Sequence, residues 1–310
     1  MGLKISIITP SYNRAGMIAQ AVGSVLAQNY PNVEHLIMDG CSTDGTLEVL
    51  KTYPHLKVVS EPDKGLYDAL NKGITCAKGE IIGFLNTDDF YEPGIFAGVV
   101  ALFDDYQNID AVVGEARIVA SDANGNFTTV RHHLAVTQHD LLERAALRSP
   151  SINAYFFRRT IVEKVGFFDL RYRLGADREW LLRFWLAGGK IHTLYNKLIY
   201  NYRMHSESLT FNADFMLKRS ARGMLEGLLI AEQYLSKADI PEALRRMCQD
   251  LHTIKSFEVM QVSIYSKDVN LFFQTFIRLW RANPLWFWTI LPRGWGKIKK
   301  EFVKITSPNP

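Results

Sequence analysis

The chain is short of cysteine, of net charge and of long apolar runs, and each shortage removes a class of protein. Its three cysteines, Cys41, Cys76 and Cys248, stand far apart with no CxxC spacing. They build no disulfide framework, and that usage suits a reducing compartment. A net charge of +4 over 310 residues singles out no partner, and no nucleic-acid partner is expected. No stretch reaches the ~20 apolar residues that a membrane-spanning helix needs. No GxGxxG follows the first apolar run and no GxxxxGK[ST] occurs, which disfavours a dinucleotide dehydrogenase and a P-loop enzyme. Internal repeats and low-complexity tracts are absent, and no signal peptide is expected. Met1-Gly2 with Ser6 matches the loose myristoylation pattern, but Leu3 to Ile8 reads as a buried strand and not a free tail.

What is present is ordinary globular composition, 47% hydrophobic and 22% charged, in a chain long enough for two lobes. Short apolar runs alternate with helical stretches over the first ~115 residues, the pattern of a mostly parallel sheet covered by helices. Strands are expected at Ile5–Ile8, stopped by Thr9-Pro10, then at Val33–Met38, Leu56–Val59 and Glu80–Leu85. Helices are expected at Ala15–Gln28, where Ile18, Ala21, Val22, Val25 and Leu26 keep helical spacing, and at Asp44–Tyr53 and Tyr67–Ala77. Residues 116–210 are less regular, with a strand or edge through Ala154–Arg158 and a helix over Arg178–Leu186. Beyond Phe211 the composition turns helical.

The fourth apolar run ends abruptly in Asn86-Thr87-Asp88-Asp89. Open α/β sheets place ligands at the carboxyl ends of their strands, and adjacent carboxylates there suit a divalent cation held against phosphates. The plainer reading is a turn or a cap for the helix after Pro93. Two further motifs tip the balance. Thr9-Pro10-Ser11-Tyr12-Asn13-Arg14 follows the first strand, and Asp39-Gly40-Cys41-Ser42-Thr43-Asp44-Gly45-Thr46 follows the second. Together the three segments resemble a family 2 glycosyltransferase of GT-A fold, over roughly residues 3–205. Glu61-Pro62-Asp63-Lys64-Gly65-Leu66-Tyr67-Asp68-Ala69-Leu70-Asn71-Lys72-Gly73 narrows the resemblance to a bacterial subgroup that assembles polysaccharides and glycolipids.

The resemblance implies a site. Thr9, Pro10, Tyr12 and Arg14 would contact the nucleotide, with the Tyr12 ring stacking on a base. Asp39 would accept the imide N–H of uracil or thymine, while locally an Asp-Gly turn before a helix capped by Ser42 or Asp44 is an equally sound reading. Leu70 stands where relatives often carry an arginine, so Lys72 or Asp68 would take over that nucleotide contact. For Lys72 alone, a solvated helix face is the simpler reading. Asp88 would contact the ribose or the metal's hydration shell, and Asp89 would bind Mn²⁺ or Mg²⁺ directly. Asn86 replaces a frequent aspartate and removes one negative charge from this set.

Gly175-Ala176-Asp177-Arg178-Glu179-Trp180-Leu181-Leu182-Arg183 matches the segment that supplies the catalytic base. An inverting transfer needs one carboxylate on the acceptor side, and Asp177 is expected in that role with Glu179 as runner-up. The competing structural role for Asp177 is a helix N-cap. Arg203 and His205 match a short motif after the last core strand, where a loop would close over the diphosphate, with Arg203 on the donor and His205 ligating the metal or bonding a phosphate oxygen; a solvated histidine is the plainer reading. His132, His133 and His139 lack ligand-like spacing and read as surface residues.

Near the carboxyl terminus Leu271, Phe272, Phe276, Ile277, Leu279 and Trp280 form an apolar stripe. Trp286, Phe287, Trp288, Ile290 and Leu291 follow, then Arg293, Lys297, Lys299, Lys300 and Lys304. Aromatic residues beside a basic cluster suit peripheral contact of 271–304 with an anionic membrane; packing on the catalytic domain is the alternative. The expected fold class is therefore α/β, GT-A type. Residues 1–115 form the nucleotide-sugar-binding half, 116–210 the acceptor half and 211–310 a helical extension.

The expected activity is inverting transfer from a UDP- or dTDP-linked sugar to a saccharide or lipid-linked acceptor. Its expected place is the cytoplasm, either free or peripheral on the inner face of the cytoplasmic membrane. A catalytically silent sugar- or nucleotide-binding protein of the same fold and a nucleotidyltransferase are the rival readings. The second rival would need a glycine-rich basic loop after the first strand, which Thr9 to Arg14 does not provide.

Overall fold

A computed structural model describes residues 2–122, 126–148, 152–205 and 213–284, and of residues 213–221 and 265 the backbone alone. The chain divides into two compact units, Met1–Met216 and Leu217–Pro310. In chain order the first unit carries β1 (Ile5–Ser11), α1 (Ile18–Leu26), β2 (Val33–Asp39), α2 (Thr46–Lys51), β3 (Leu56–Ser60), α3 (Leu66–Cys76) and β4 (Ile81–Phe84). It continues with β5 (Phe90–Tyr91), α4 (Ile95–Asp105), β6 (Ala111–Ser121), β7 (Phe127–His133) and α5 (Leu141–Leu147). A 3-10 turn (Ile152–Ala154) leads into β8 (Tyr155–Arg158), α6 (Arg159–Val165), α7 (Ala176–Leu186) and β9 (Ile191–Met204).

These strands form one sheet in the order β3-β2-β1-β4-β8-β6-β9-β5, with β7 pairing β6 off that path. The pairs β1–β2, β1–β4, β2–β3 and β6–β9 are parallel. Strand β8 runs antiparallel to both β4 and β6. Sequence order reverses on either side of β1, so the carboxyl ends of β1, β2 and β4 enclose a crevice, as expected at such a switch point.

Two details differ from expectation. Strand β1 does not stop at Thr9-Pro10 but continues to Ser11, with Pro10 level with Met38 of β2. In a parallel pair alternate residues turn their backbone groups to opposite neighbours. Ser11 O accepts from Gly40 N on the β2 side, while Ile8 O accepts from Leu85 N on the β4 side. Pro10 therefore faces the β4 side, where β4 has already ended, and its missing N–H breaks no ladder bond. The Ala154–Arg158 segment is no edge: β8 lies between β4 and β6, which explains why Tyr155, Phe156 and Phe157 are all buried.

Helix α1 buries Ile18 and Val22 with Ile37 and Leu50. Helix α4 buries Phe96, Val99 and Phe103 in a second cluster with Ile5, Ile7, Ile81 and Phe156. On the opposite face α3 comes so close that a Cβ on Gly73 would lie 2.3 Å from Ile8 Cγ2. Trp180 and Phe184 of α7 cover Phe157 there, with centroid distances of 4.9 and 5.6 Å. Each such aromatic side chain contributes about 1.5–3 kcal/mol by burial.

The second unit carries α8 (Ala213–Leu235), which begins just before it, α9 (Glu242–Tyr265) and α10 (Val269–Ala282). Asp268 caps α10 by accepting from Leu271 N at 2.9 Å. Thr275 and Leu279 are buried, whereas Val269, Phe273, Ile277 and Trp280 are exposed on α10. No helix among the described residues is long and apolar enough to cross a membrane. Trp286 through Lys304, the distal half of the proposed membrane segment, lie outside the described residues.

Candidate active site

The crevice is built where three strands end. Asp39, the last residue of β2, is buried and accepts from Ser42 N at 2.9 Å, Ser42 Oγ at 2.5 Å and Ser60 Oγ at 2.7 Å. A carboxylate has about four lone-pair sites, so one on Oδ1 stays available to a ligand N–H. The turn and the ligand readings of Asp39 are thus compatible. Asp44 accepts from Thr46 N at 3.0 Å and from Ala15 N at 3.0 Å, which pins the first loop to the second. Asn13 reinforces the same junction: its N–H donates to Ser42 Oγ and its Oδ1 accepts from Thr43 N.

Tyr12 is 61% exposed above this floor, as a stacking ring requires. Gly40 leaves room beside it, since a Cβ there would meet Asp63 Oδ2 at 2.5 Å and the Tyr12 ring at 3.4 Å. Thr9 and Pro10 behave differently from expectation. Thr9 is fully buried with Oγ1 2.8 Å from His35 Nε2, so its side chain serves the sheet and not the crevice. Burial pushes the His35 imidazole down to about 3, which keeps it neutral. Pro10 is buried too. The Arg14 N–H donates to Thr46 Oγ1 and its guanidinium to Asn13 O at 3.0 Å.

Lys72 and Asp68 lie in α3, but the chain already occupies them. The Lys72 ammonium donates to Pro62 O at 2.7 Å and pairs with Glu61 at 2.8 Å. Asp68 accepts from Lys64 N at 2.9 Å. Leu70 is buried core, and Asn71 clamps the backbone of Phe168 through bonds of 2.9 and 2.8 Å.

Asp88 and Asp89 diverge. Asp89 is 4% exposed, and its Oδ2 accepts from Tyr200 OH at 2.8 Å and Asn86 Nδ2 at 2.9 Å. Its Oδ1 accepts from Arg203 N at 2.9 Å. Burial, then the charge of Asp88, hold its carboxyl well above the usual carboxylate range. An aspartate at position 86 would have added repulsion, whereas the Asn86 amide donates. Tyr200 is itself saturated: its hydroxyl accepts from Asn153 Nδ2 at 3.0 Å and Asn86 N at 3.2 Å while donating to Asp89.

Asp88 instead faces His205, with Nε2 3.1 Å from Oδ2. A carboxylate oxygen, which suits a hard divalent cation, converges beyond the strand end with an imidazole nitrogen, a borderline donor that suits transition-metal ions. Among the described residues no group of three or more His, Cys, Asp and Glu is arranged to hold one. A cation there would complete its shell with water and substrate oxygens, as small hard cations commonly do. The Arg203 guanidinium lies over the Phe127 ring at 5.2 Å.

Asp177 sits in the first turn of α7, yet the helix N-cap is Gly175. Its carboxylate accepts from Arg178 N at 2.7 Å and from the Tyr67 hydroxyl of α3. Burial pushes its pKa up to about 6, against the lowering pull of Arg178 and of both bonds. The runner-up is spent: Glu179 is 2% exposed and takes the Arg183 Nε on both oxygens, at 3.0 and 2.9 Å. His132 departs from a bare surface role by pairing with Glu115 at 3.1 Å.

Sequence reasoning missed Tyr200, Asn153 and Ser60, and gave Tyr67 no role. Tyr67 lay inside a quoted motif. The other three carried no local signal, because each acts through a partner at least twenty residues away.

A crevice at a parallel switch point, with acids on β4's carboxyl end and a further acid at α7, defines the class of nucleotide-sugar transferase folds. The family model for glycosyl transferase family 2 matches residues 6–166, more than half of the chain, and the chain belongs to that family. Relatives include a glycosyltransferase of Nostoc sp., 28% identical over 76% of this chain and 75% of that protein. A PGL/p-HBAD biosynthesis glycosyltransferase of Mycobacterium bovis is 32% identical over 57% of this chain and 68% of that protein. Among solved structures, residues 1–349 of S. aureus TarS superpose with a TM-score of 0.64 at 20% identity, covering 92% of this chain and 81% of that one. The mannosyltransferase PcManGT from Pyrobaculum calidifontis, solved with GDP-Man and Mn²⁺, gives 0.59 at 16%, covering 94% and 84%. At these identities the two structures speak for the fold alone, which is GT-A.

Proposed function

We propose that the chain transfers a sugar, with inversion, from a nucleoside diphosphate donor to an acceptor hydroxyl, and that Asp177 takes the hydroxyl's proton. One observation carries this reading: the Asp177 carboxylate, bonded by Tyr67 from the nucleotide-binding half, has a pKa near 6 while Glu179 is neutralised by Arg183. A base poised near neutral pH suits proton abstraction. Tyr12 and the remaining acceptor site on Asp39 take the base, and a uracil or thymine imide N–H matches that site. TarS is solved with UDP-GlcNAc and PcManGT with GDP-Man, which supports a nucleotide-sugar donor.

The expected metal roles of the two acids are better exchanged. Asp88 and His205 would hold the cation, and Asp89, with its three bonds to the chain, orients the strand end and Arg203. A divalent ion bound there would supply positive charge against the leaving diphosphate. The chain's own part is to fix the donor in the crevice, align Asp177 on the acceptor side and exclude water between them.

The test is nucleoside diphosphate release from UDP-, dTDP- and GDP-sugars with Mn²⁺ or Mg²⁺. No release from any donor under either metal would favour the silent-binder reading. Peripheral membrane contact is a second proposal, supported by the exposed Val269, Phe273, Ile277 and Trp280 on α10 and by the basic residues that follow. It fits a lipid-linked acceptor. Co-flotation with phosphatidylglycerol vesicles but not phosphatidylcholine vesicles supports it, and flotation with neither ends it.

A further inference from the structure

On the acceptor half, a recess opens between the Val113–Ala116 stretch of β6, the end of β7, α5, the start of β8 and α7, with His133, Arg144, Tyr155 and Leu181 among its walls. Its position follows from the sheet. Phe156 pairs with Gly83, so Tyr155 lies level with Phe84, at the same end of the sheet from which Asp88 and Asp89 project. Leu181 is one turn beyond Asp177 on α7, hence on the same helix face. The Arg178 guanidinium donates to the carbonyls of Ala145 (3.1 Å) and Ala146, which fastens α5 to the first turn of α7. The recess is small: about 20 Å³ is open to the centre of a water molecule, against the ~10–15 Å³ that one water needs by that measure. It admits a single functional group and not a whole sugar ring.

The chemistry of its walls is one-sided. Arg144 is half-buried, and among the described residues its guanidinium makes no ion pair or hydrogen bond. The neighbouring acids are engaged elsewhere: Glu143 pairs with Arg148 at 3.4 Å, Glu115 with His132 at 3.1 Å, and Asp140 accepts from Thr137 at 2.7 Å. The Tyr155 hydroxyl, on a ring buried against Phe157, also lacks a hydrogen-bond partner among the described residues. A buried tyrosine hydroxyl usually finds one. The His133 ring is held below its ordinary pKa by burial and then by the charges of Arg131, Arg144 and His132, a sign that the local field is positive.

A neutral sugar in this recess would leave a partly desolvated cation unmatched, whereas an oxyanion would satisfy the guanidinium and the hydroxyl together. We propose that the recess is an anion subsite for the acceptor: it takes a carboxylate or phosphate borne by the acceptor, on Arg144 and Tyr155. This rests on the transferase reading, in which Asp177 marks the acceptor side.

The test is binding of glucose, glucuronate and glucose 6-phosphate to the full chain with UDP and Mn²⁺ present, in low salt, with the His133 ring signals followed by NMR. At least one anionic sugar should bind about tenfold tighter than glucose and shift the His133 signals. Which of the two does so identifies carboxylate or phosphate as the natural group. Arg144→Met should abolish the preference, Arg144→Lys should retain part of it, and Tyr155→Phe, which keeps the ring packed, should weaken it. Equal binding of all three probes, binding of none, or a preference that survives Arg144→Met or is untouched by Tyr155→Phe overturns the inference. The melting shift of the wild-type chain with nucleotide sugars is read in parallel. No shift with any donor counts against the transferase reading, while a shift without anion preference counts against the subsite alone.

Discussion

The Tyr67 hydroxyl donates to the Asp177 carboxylate, joining the first turn of α3 to the first turn of α7 across more than a hundred residues of chain. One end of that bond belongs to the helix that follows β3, the other to the helix that bears the proposed base. Asp177→Asn keeps the size of the side chain and loses its basicity. Transfer should fall by about 10²–10⁴-fold in kcat, while the melting shift caused by nucleotide sugar persists. Equal loss of both would reduce Asp177 to a structural role.

The pH dependence has a definite sign. Asp177 must be ionised to accept a proton, so kcat/KM should rise with pH and level off above about 6. The Tyr67 bond lowers that pKa, so Tyr67→Phe should move the inflection upward, by a displacement a merely structural tyrosine would not cause. For stability the same carboxyl works the other way. Its folded pKa is raised, so its contribution is fully present below the ordinary carboxylate value of about 3.9 and is lost as pH rises through about 6.

Metal dependence tests the exchanged roles of Asp88 and Asp89. Mn²⁺ at roughly 100 times its Kd should stabilise the wild-type chain by about 2.7 kcal/mol, a rise of several degrees in Tm. Asp88→Asn and His205→Ala should each erase most of that rise, and without metal each gives up the 3.1 Å contact between the two side chains. Asp89→Asn should lower Tm in the absence of metal, since Asn86, Tyr200 and the Arg203 N–H all donate to that carboxylate. If Asp89→Asn alone removed the Mn²⁺ effect while Asp88→Asn kept it, the original assignment of the metal to Asp89 would stand.

The first four strands and their helices were legible because each strand, even the largely exposed β3, is a short apolar run that ends at polar residues, and the helices keep a 3.6-residue spacing. Asp39 and Asp88 stood out as acids at strand ends, and Asp177 through the segment that resembles the family's base motif. The second half resisted. Strand β9 runs fourteen residues from Ile191 to Met204 beside β6, and the pairing shifts register around Glu115, so no clean alternation marks it. Tyr200 looks like any strand aromatic until Asn153 and Asp89 arrive from elsewhere in the fold. The Thr9 side chain was not legible from its motif, because it alternates inward to His35 while the segment itself runs to the crevice. Arg144 carries no motif at all; only the lack of a counter-charge among the described residues distinguishes it, and that is visible in three dimensions alone.

Arg183 offers a test of stability, read on unfolding and not on turnover. Its guanidinium takes both oxygens of Glu179, whose side chain is 3% exposed, and donates onward to Val165 O and to Phe167 O at 2.7 Å. Trp180 Nε1 donates to Gly166 O at 2.7 Å in the same turn, where Gly166 adopts φ 83°. Helix α7 is thereby stapled to the turn that ends α6. Arg183→Met removes the guanidinium from a buried carboxylate and strips two carbonyls of a donor. Breaking a buried pair in this way costs about 3–5 kcal/mol, and the 27% exposure of the Arg183 side chain puts the loss at the lower end. Against a total stability of about 5–15 kcal/mol, that should move the urea midpoint clearly with m unchanged. Adding Glu179→Gln to Arg183→Met should recover part of the loss, because the amide no longer buries a charge. A double variant as unstable as the single one would show that the carbonyl contacts, and not the ion pair, hold the turn.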